Sequence, residues 1–201
     1  MSRLIETICI RQGQVQNLAW HQRRLDKTFE EIFPGEKPHS LSDLIMVHES
    51  FDVEKVKCRF LYDSKNVEIQ FLPYQKHQIE SLLFLEHSDL VYNYKWENRE
   101  VLDKGKDLLL PFQSIVFLKN KLITDGIYSN VAFLKNGKWY TPAHPVLEGT
   151  CRARLLELGI IQPSVIKTSD LHQFESVRLF NAMTGWEDSW EIPMEKTSIL
   201  K

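Results

Sequence analysis

The sequence predicts an α+β protein, a small N-terminal α/β domain followed by a larger strand-rich one. Three observations lead there. Up to about residue 75, short strand-like runs surround one strongly amphipathic helix. Beyond Ser81, strand-like runs follow one another closely, with a single substantial helix among them. No internal repeat or low-complexity run interrupts either part. The division falls near residue 78, giving domains over 1–78 and 79–201.

Each element has a local reason. Leu4 to Ile10 and Gln14 to Leu18 read as strands joined by a turn at Gln12-Gly13. From Trp20 to Phe33 the apolar residues Leu25, Phe29, Ile32 and Phe33 share one helical face, and Pro34-Gly35 stops the helix. A second helix is expected over Ser42 to Glu49, capped by Ser40 or Ser42. Lys55 to Tyr62 and Asn66 to Leu72 form a hairpin around Asp63-Ser64-Lys65, and Ser81 to Glu86 is another strand. Asn98 to Lys104 is helix-like. Asp107 to Leu110, Ser114 to Leu118, Lys121 to Thr124 and Ser129 to Leu134 are strand-like. Asn136-Gly137 is a hairpin turn leading into Lys138-Trp139-Tyr140. Gly149 to Leu158 is helical and closed by Gly159, with strands expected at Ser164 to Thr168 and Ser176 to Phe180. Trp186 and Trp190 are expected to pack the C-terminal tail.

Composition narrows the function. At 201 residues, with 43% hydrophobic and 26% charged residues, the chain can bury a core as one large or two small domains. A net charge of −2 argues against a nucleic-acid surface. No stretch approaches the roughly 20 apolar residues of a membrane span. The N-terminus places charges, Arg3 and Glu6, where a signal peptide needs its apolar core. The cysteines, Cys9, Cys58 and Cys151, are odd in number and form no CxxC pair, so disulfide and zinc readings are poor. The expectation is a soluble cytoplasmic protein with no metal and no nucleic-acid or membrane partner.

Five separated segments carry chemistry-bearing residues: His21-Gln22-Arg23-Arg24-Leu25; Lys95-Trp96-Glu97-Asn98-Arg99; Thr124-Asp125-Gly126 running on through Ser129-Asn130; Thr141-Pro142 with Leu147-Glu148-Gly149-Thr150-Cys151-Arg152; and Phe180-Asn181-Ala182-Met183. Each alone is a weak signal. In this order they resemble the cofactor-binding segments of the class IV (fold type IV) aminotransferases, enzymes that use pyridoxal 5′-phosphate (PLP). The resemblance implies a small α/β domain and a larger barrel-like domain with PLP between them, acting on a small-molecule substrate as a homodimer. It implies that Lys95 carries PLP as a Schiff base and moves the substrate proton, that Arg24 grips the phosphate, and that Asp125 faces the pyridine nitrogen where the family more often has glutamate. Asn130, the helix start at Gly149, Thr150 and Cys151, and the loop of Asn181, Ala182 and Met183 complete the cofactor set. Cys151 stands where the family usually has threonine.

These residue types suit the chemistry. PLP stores an electron pair, and the protein must hold and tune the ring. A lysine amine can both anchor it and shuttle a proton. The phosphate dianion calls for an arginine fork and a helix N-terminus, and a protonated ring nitrogen calls for a carboxylate. Within the family, Lys95-x-x-Asn98-Arg99, the Asn181-Ala182-Met183 loop and the short chain look most like aminodeoxychorismate lyases. Branched-chain aminotransferases usually have tyrosine where Glu100 stands. The implied reaction is conversion of 4-amino-4-deoxychorismate to 4-aminobenzoate and pyruvate, with Arg59, Asn98 and Arg99 as candidates to hold the substrate carboxylate. A transaminase of D- or branched-chain amino acids and a non-catalytic binding relative stay open. Glu6-Thr7 matches a family pair that elsewhere lies further from the chain start, so a smaller roof over the substrate is expected.

Overall fold

The structure is a computed structural model and describes residues 3–47 and 55–200. The chain forms two compact units: Met1–Lys76 with Tyr94–Asn98, and His77–Asn93 with Arg99–Lys201.

In the first unit, β1 (Leu4–Arg11) turns through Gln12 and Gly13, at φ 49° and 74°, into β2 (Gln14–Val15). Two consecutive positive φ values match the twist of the flanking strands. Helix α1 (Leu18–Ile32) begins two residues earlier than expected, after Asn17 in the left-handed conformation. Its buried residues are His21, Leu25, Thr28 and Phe29. The second helix is much shorter than expected: α2 is Leu41–Leu44, because Ile45 turns extended. The Gln22 side chain caps it by accepting the Leu41 N–H, and the expected end at Glu49 lies outside the described residues. β3 (Lys55–Tyr62) and β4 (Val67–Pro73) pair around Asp63, whose carboxylate accepts the N–H groups of Lys65 and Asn66. The sheet order is β2-β1-β3-β4, and Leu25 and Phe29 pack on Leu4, Ile8, Ile10, Phe60 and Tyr62.

In the second unit, β5 (Ser81–Glu86) leads to α3 (Glu100–Asp103), shorter than the expected helix over 98–104. The strand expected at Asp107 to Leu110 is instead a 3-10 turn at Lys106–Leu108. With no neighbouring strand, Leu108 and Leu110 stay exposed. Then come β6 (Gln113–Lys119), β7 (Leu122–Gly126), β8 (Asn130–Lys135), β9 (Lys138–Pro142), α4 (Thr150–Glu157) and β10 (Ile161–Ser164). The strand expected at 164–168 is thus displaced: Ile161 enters the sheet parallel to β9, and Val165 is exposed. β11 (Ser176–Phe180), β12 (Trp190–Pro193) and β13 (Thr197–Leu200) finish the chain.

These strands make two sheets, β10-β9-β8-β11-β12 and β13-β5-β6-β7. Among the described residues neither sheet closes on itself, so the barrel-like expectation is corrected to two open sheets. Their inner faces share one core: Leu82, Phe84, Val116 and Leu118 meet Val131, Phe133, Val177 and Leu179. The class is α+β. Trp186 packs edge-on against Trp139 and Phe180, and Trp190 borders the shared core.

Candidate active site

In the first unit the site is built on β1. Leu4, Glu6, Ile8 and Ile10 alternate onto one face of the strand, and all are buried. Three are apolar. The fourth, Glu6, is a carboxylate at 0% exposure and needs a cation beside it. Arg24 provides one: its Nε donates to Glu6 Oε1 at 2.8 Å and its Nη2 to Oε2 at 2.6 Å. His21, one turn earlier on α1 and also at 0% exposure, places Nδ1 2.5 Å from Oε2. Burial pushes Glu6 upward, but the Arg24 charge and the His21 hydrogen bond outweigh it and hold the carboxyl at about 2. Burial lowers His21 in turn.

Lys95 comes to this cluster from far along the chain. Its carbonyl accepts the Ile5 N–H at 2.9 Å, the Glu97 N–H donates to Arg3 O at 2.8 Å, and Leu4 and Trp96 bridge antiparallel. A five-residue segment is therefore stitched to the edge of β1, and the half-buried Lys95 is close enough for its charge to act on His21. Arg59 on β3 donates to Gln70 at 2.8 Å and lies 3.6 Å from Glu97. Asn98 is exposed at the end of the same segment.

In the second unit, Asp125 on β7 is 5% exposed. Its Oδ1 accepts from Asn130 Nδ2 at 2.7 Å, and its Oδ2 accepts the Leu147 N–H at 2.8 Å. Burial dominates and lifts it from an ordinary 3.8 to about 6, against the pull of these donors. Asn130 also donates to the Leu147 carbonyl at 3.0 Å. Gly149 lies so close that a Cβ there would sit 1.9 Å from Asn130 Oδ1. Glycine is required at this point for space, since its φ is an ordinary −71°. Gly149 caps α4, whose first residues are Thr150 and Cys151. The Cys151 side chain packs with Ala132, Leu155 and Phe180, and burial pushes its thiol to about 12. It can offer a ligand its backbone N–H and little else.

The Asn181 loop is a tight turn: Asn181 Oδ1 accepts the N–H groups of Met183 and Thr184, and its Nδ2 donates to the Tyr128 carbonyl at 3.1 Å, with Ala182 at the turn itself. The guanidinium of Arg99 stacks 4.7 Å from the Tyr128 ring centroid and donates to the Ile127 carbonyl. The structure thus gathers Arg24 and Lys95 in one unit, and in the other Asp125, Asn130 and Gly149, and Arg99 with Tyr128 and Asn181. Sequence reasoning missed Glu6 and Arg152. An acid on the core-facing register of an apolar strand was the available signal for Glu6; for Arg152 it was its place at the end of the Leu147–Arg152 segment, to which no role was attached.

PLP fits these residues. Asp125 is a buried carboxylate whose hydrogen-bond partners are all neutral donors, an environment that a protonated ring nitrogen would complete. Among the described residues no group of His, Cys, Asp or Glu side chains is arranged to hold a metal. No helix there is long and apolar enough to cross a membrane.

Comparison with known proteins gives the family. The profile of the family described as amino-transferase class IV matches residues 90–187. An uncharacterized protein of Haemophilus influenzae is 30% identical over 187 residues, covering 92% of this chain and all of that one. A crystal structure from Haemophilus somnus, named "putative 4-amino-4-deoxychorismate lyase", is 32% identical with a TM-score of 0.82 over 92% of this chain and 98% of that one. The 4-amino-4-deoxychorismate lyase of Pseudomonas aeruginosa shares the fold at 17% identity, TM-score 0.71, over 95% of this chain and 82% of its own. The chain belongs to the class IV aminotransferase family.

Proposed function

We propose that this protein is a cytoplasmic, homodimeric PLP enzyme that converts 4-amino-4-deoxychorismate to 4-aminobenzoate and pyruvate. The observation that carries the reading is Asp125, a buried acid poised to pair with a pyridinium nitrogen. Bound PLP supplies an electron sink. Lys95 would anchor the cofactor, and its amine would take up the ring proton beside the substrate nitrogen. The same amine then protonates the departing enolpyruvyl group. Arg24 would offer the phosphate its guanidinium, and the α4 start at Gly149, Thr150 and Cys151 and the turn of Asn181, Ala182 and Met183 would offer it backbone N–H groups, while Asn130 holds Asp125. Of the three candidates for the substrate carboxylate, we assign Arg99. Its buried Nε has no hydrogen-bond partner among the described residues, whereas Arg59 is engaged by Gln70 and Glu97, and Asn98 is a second, exposed donor.

Lyase is preferred to transaminase because the 32%-identical structure bears a lyase name. Incubation with aminodeoxychorismate, followed by 4-aminobenzoate fluorescence, tests this. Product formed by the wild type and not by Lys95→Ala is the expected result. Absence of 4-aminobenzoate, together with keto-acid-dependent turnover of a D- or branched-chain amino acid, replaces the lyase by a transaminase. A wild type that stays colourless in excess PLP, with no borohydride-trapped lysine, leaves a binding protein. Gel filtration showing a fully active monomer removes the dimer.

A further inference from the structure

Asp125 sits among neutral hydrogen-bond partners: Asn130 from β8 and the N–H groups of Val146 and Leu147 from the loop before α4. The charged side chain that acts on it is Arg152, in the first turn of α4 and only 8% exposed. Arg152 Nη2 donates to the Pro142 carbonyl at 2.8 Å, and Nε reaches Thr141 Oγ1 at 3.4 Å. That hydroxyl in turn donates to the Val131 carbonyl at 2.8 Å. Among the described residues no carboxylate lies within ion-pairing distance of the guanidinium. A buried cation with only neutral contacts is costly unless a counter-charge lies further off. The negative groups acting on Arg152 are Asp125 and Glu148. Glu148 is exposed, so water screens it, and Asp125 is the counter-charge that matters.

The same loop links them, since Arg152 grips it at Pro142 and Asp125 grips it at Leu147. We propose that Arg152 is a positioning residue that keeps Asp125 ionised across this loop. Its catalytic meaning rests on the proposed pairing of Asp125 with PLP, but the charge coupling belongs to the protein alone and can be measured without cofactor.

The test is a carbon-13 carboxyl NMR titration of the full chain without PLP, with the Asp125 signal identified by its loss in Asp125→Asn. Arg152→Gln keeps a donor for Pro142 and removes the charge; the Asp125 midpoint should rise by about one pH unit or more, a tenfold change in its proton affinity. Arg152→Lys keeps the charge and should stay near the wild-type midpoint. An unchanged midpoint in folded Arg152→Gln, or an equal rise in both variants, overturns the proposal. If Arg152→Gln does not fold, the double variant Asp125→Asn/Arg152→Gln decides. It folds if the lost function was charge compensation, and its failure shows a purely structural role and overturns the proposal. A wild type that binds no PLP sinks the cofactor reading, while the titration still decides Arg152.

Discussion

Glu6 in the first unit and Asp125 in the second are both carboxylates that water hardly reaches, at 0% and 5% exposure. Burial pushes each upward, yet Glu6 is held at about 2 and Asp125 is raised to about 6. The difference lies in what touches them. Glu6 meets a guanidinium through two hydrogen bonds and an imidazole through a third, so its charge is cancelled at contact. Asp125 meets only an amide and backbone N–H groups, with its cation acting from further off. Equal burial therefore yields one carboxylate locked in the charged state as scaffold, and another whose charge answers to its surroundings. The second kind suits a partner that brings its own positive charge.

The largest effect should come from splitting the locked pair. Glu6→Ala leaves the Arg24 guanidinium in a site with 14% side-chain exposure, and we expect a loss of about 3–5 kcal/mol in urea unfolding. Replacing both partners with apolar residues should recover much of it. A loss below about 1 kcal/mol for Glu6→Ala would show that the pair is not locked.

The two carboxylates also predict opposite pH dependences. Glu6 is depressed from 4.5 to about 2, so its stabilisation is complete above 4.5 and lost as pH falls through that window. Asp125 is raised from 3.8 to about 6, so the folded form binds the extra proton and stability declines as pH rises from about 4 to 6, by about 3 kcal/mol in all. Subtracting the unfolding curve of Glu6→Gln from that of the wild type should isolate the first window, and Asp125→Asn the second. Slopes of the same sign in both windows would break the comparison.

Gly149→Ala should cost about 1–3 kcal/mol by overpacking, because the new methyl displaces the Asn130 amide that holds Asp125. Thermal unfolding reads the cost, and a fall in PLP affinity should accompany it. The smallest effect belongs to the half-exposed ion pair. Arg59→Gln should change stability by no more than about 0.5–1 kcal/mol, since water already screens its charge from Glu97. A raised KM in the same variant would give Arg59 a part in substrate binding.

Local chemistry made much of this readable from the sequence. Gln12-Gly13 and Asn136-Gly137 each supply two positive φ values, and the hairpins follow. What was misread depends on distant partners. Ile160-Ile161 and Val165-Ile166 are equally good strand residues, and only the parallel fit to β9 selects the first pair. Leu108-Leu109-Leu110 has the composition of a strand but no strand beside it. β12 and β13 were not anticipated; they pair with β11 and β5, and β5 lies more than a hundred residues upstream. Within the candidate site the motif residues were legible one by one, whereas the partners of Glu6 sit 15 and 18 residues away and those of Arg152 lie 10 and 11 residues back on β9.

The seam between the Lys95 segment and β1 also bears on how the protein is made. β2 covers the far end of the β1 edge, and among the described residues the near end, at Arg3 to Ile5, is covered by the Lys95–Glu97 segment. On the ribosome, that stretch of the β1 edge must wait for these partners until some ninety residues more have emerged. Through that interval the nascent chain presents an open strand edge, the feature that invites pairing with a neighbour on the same message. The segment bearing the candidate catalytic lysine is thus also the last stitch of the N-terminal sheet.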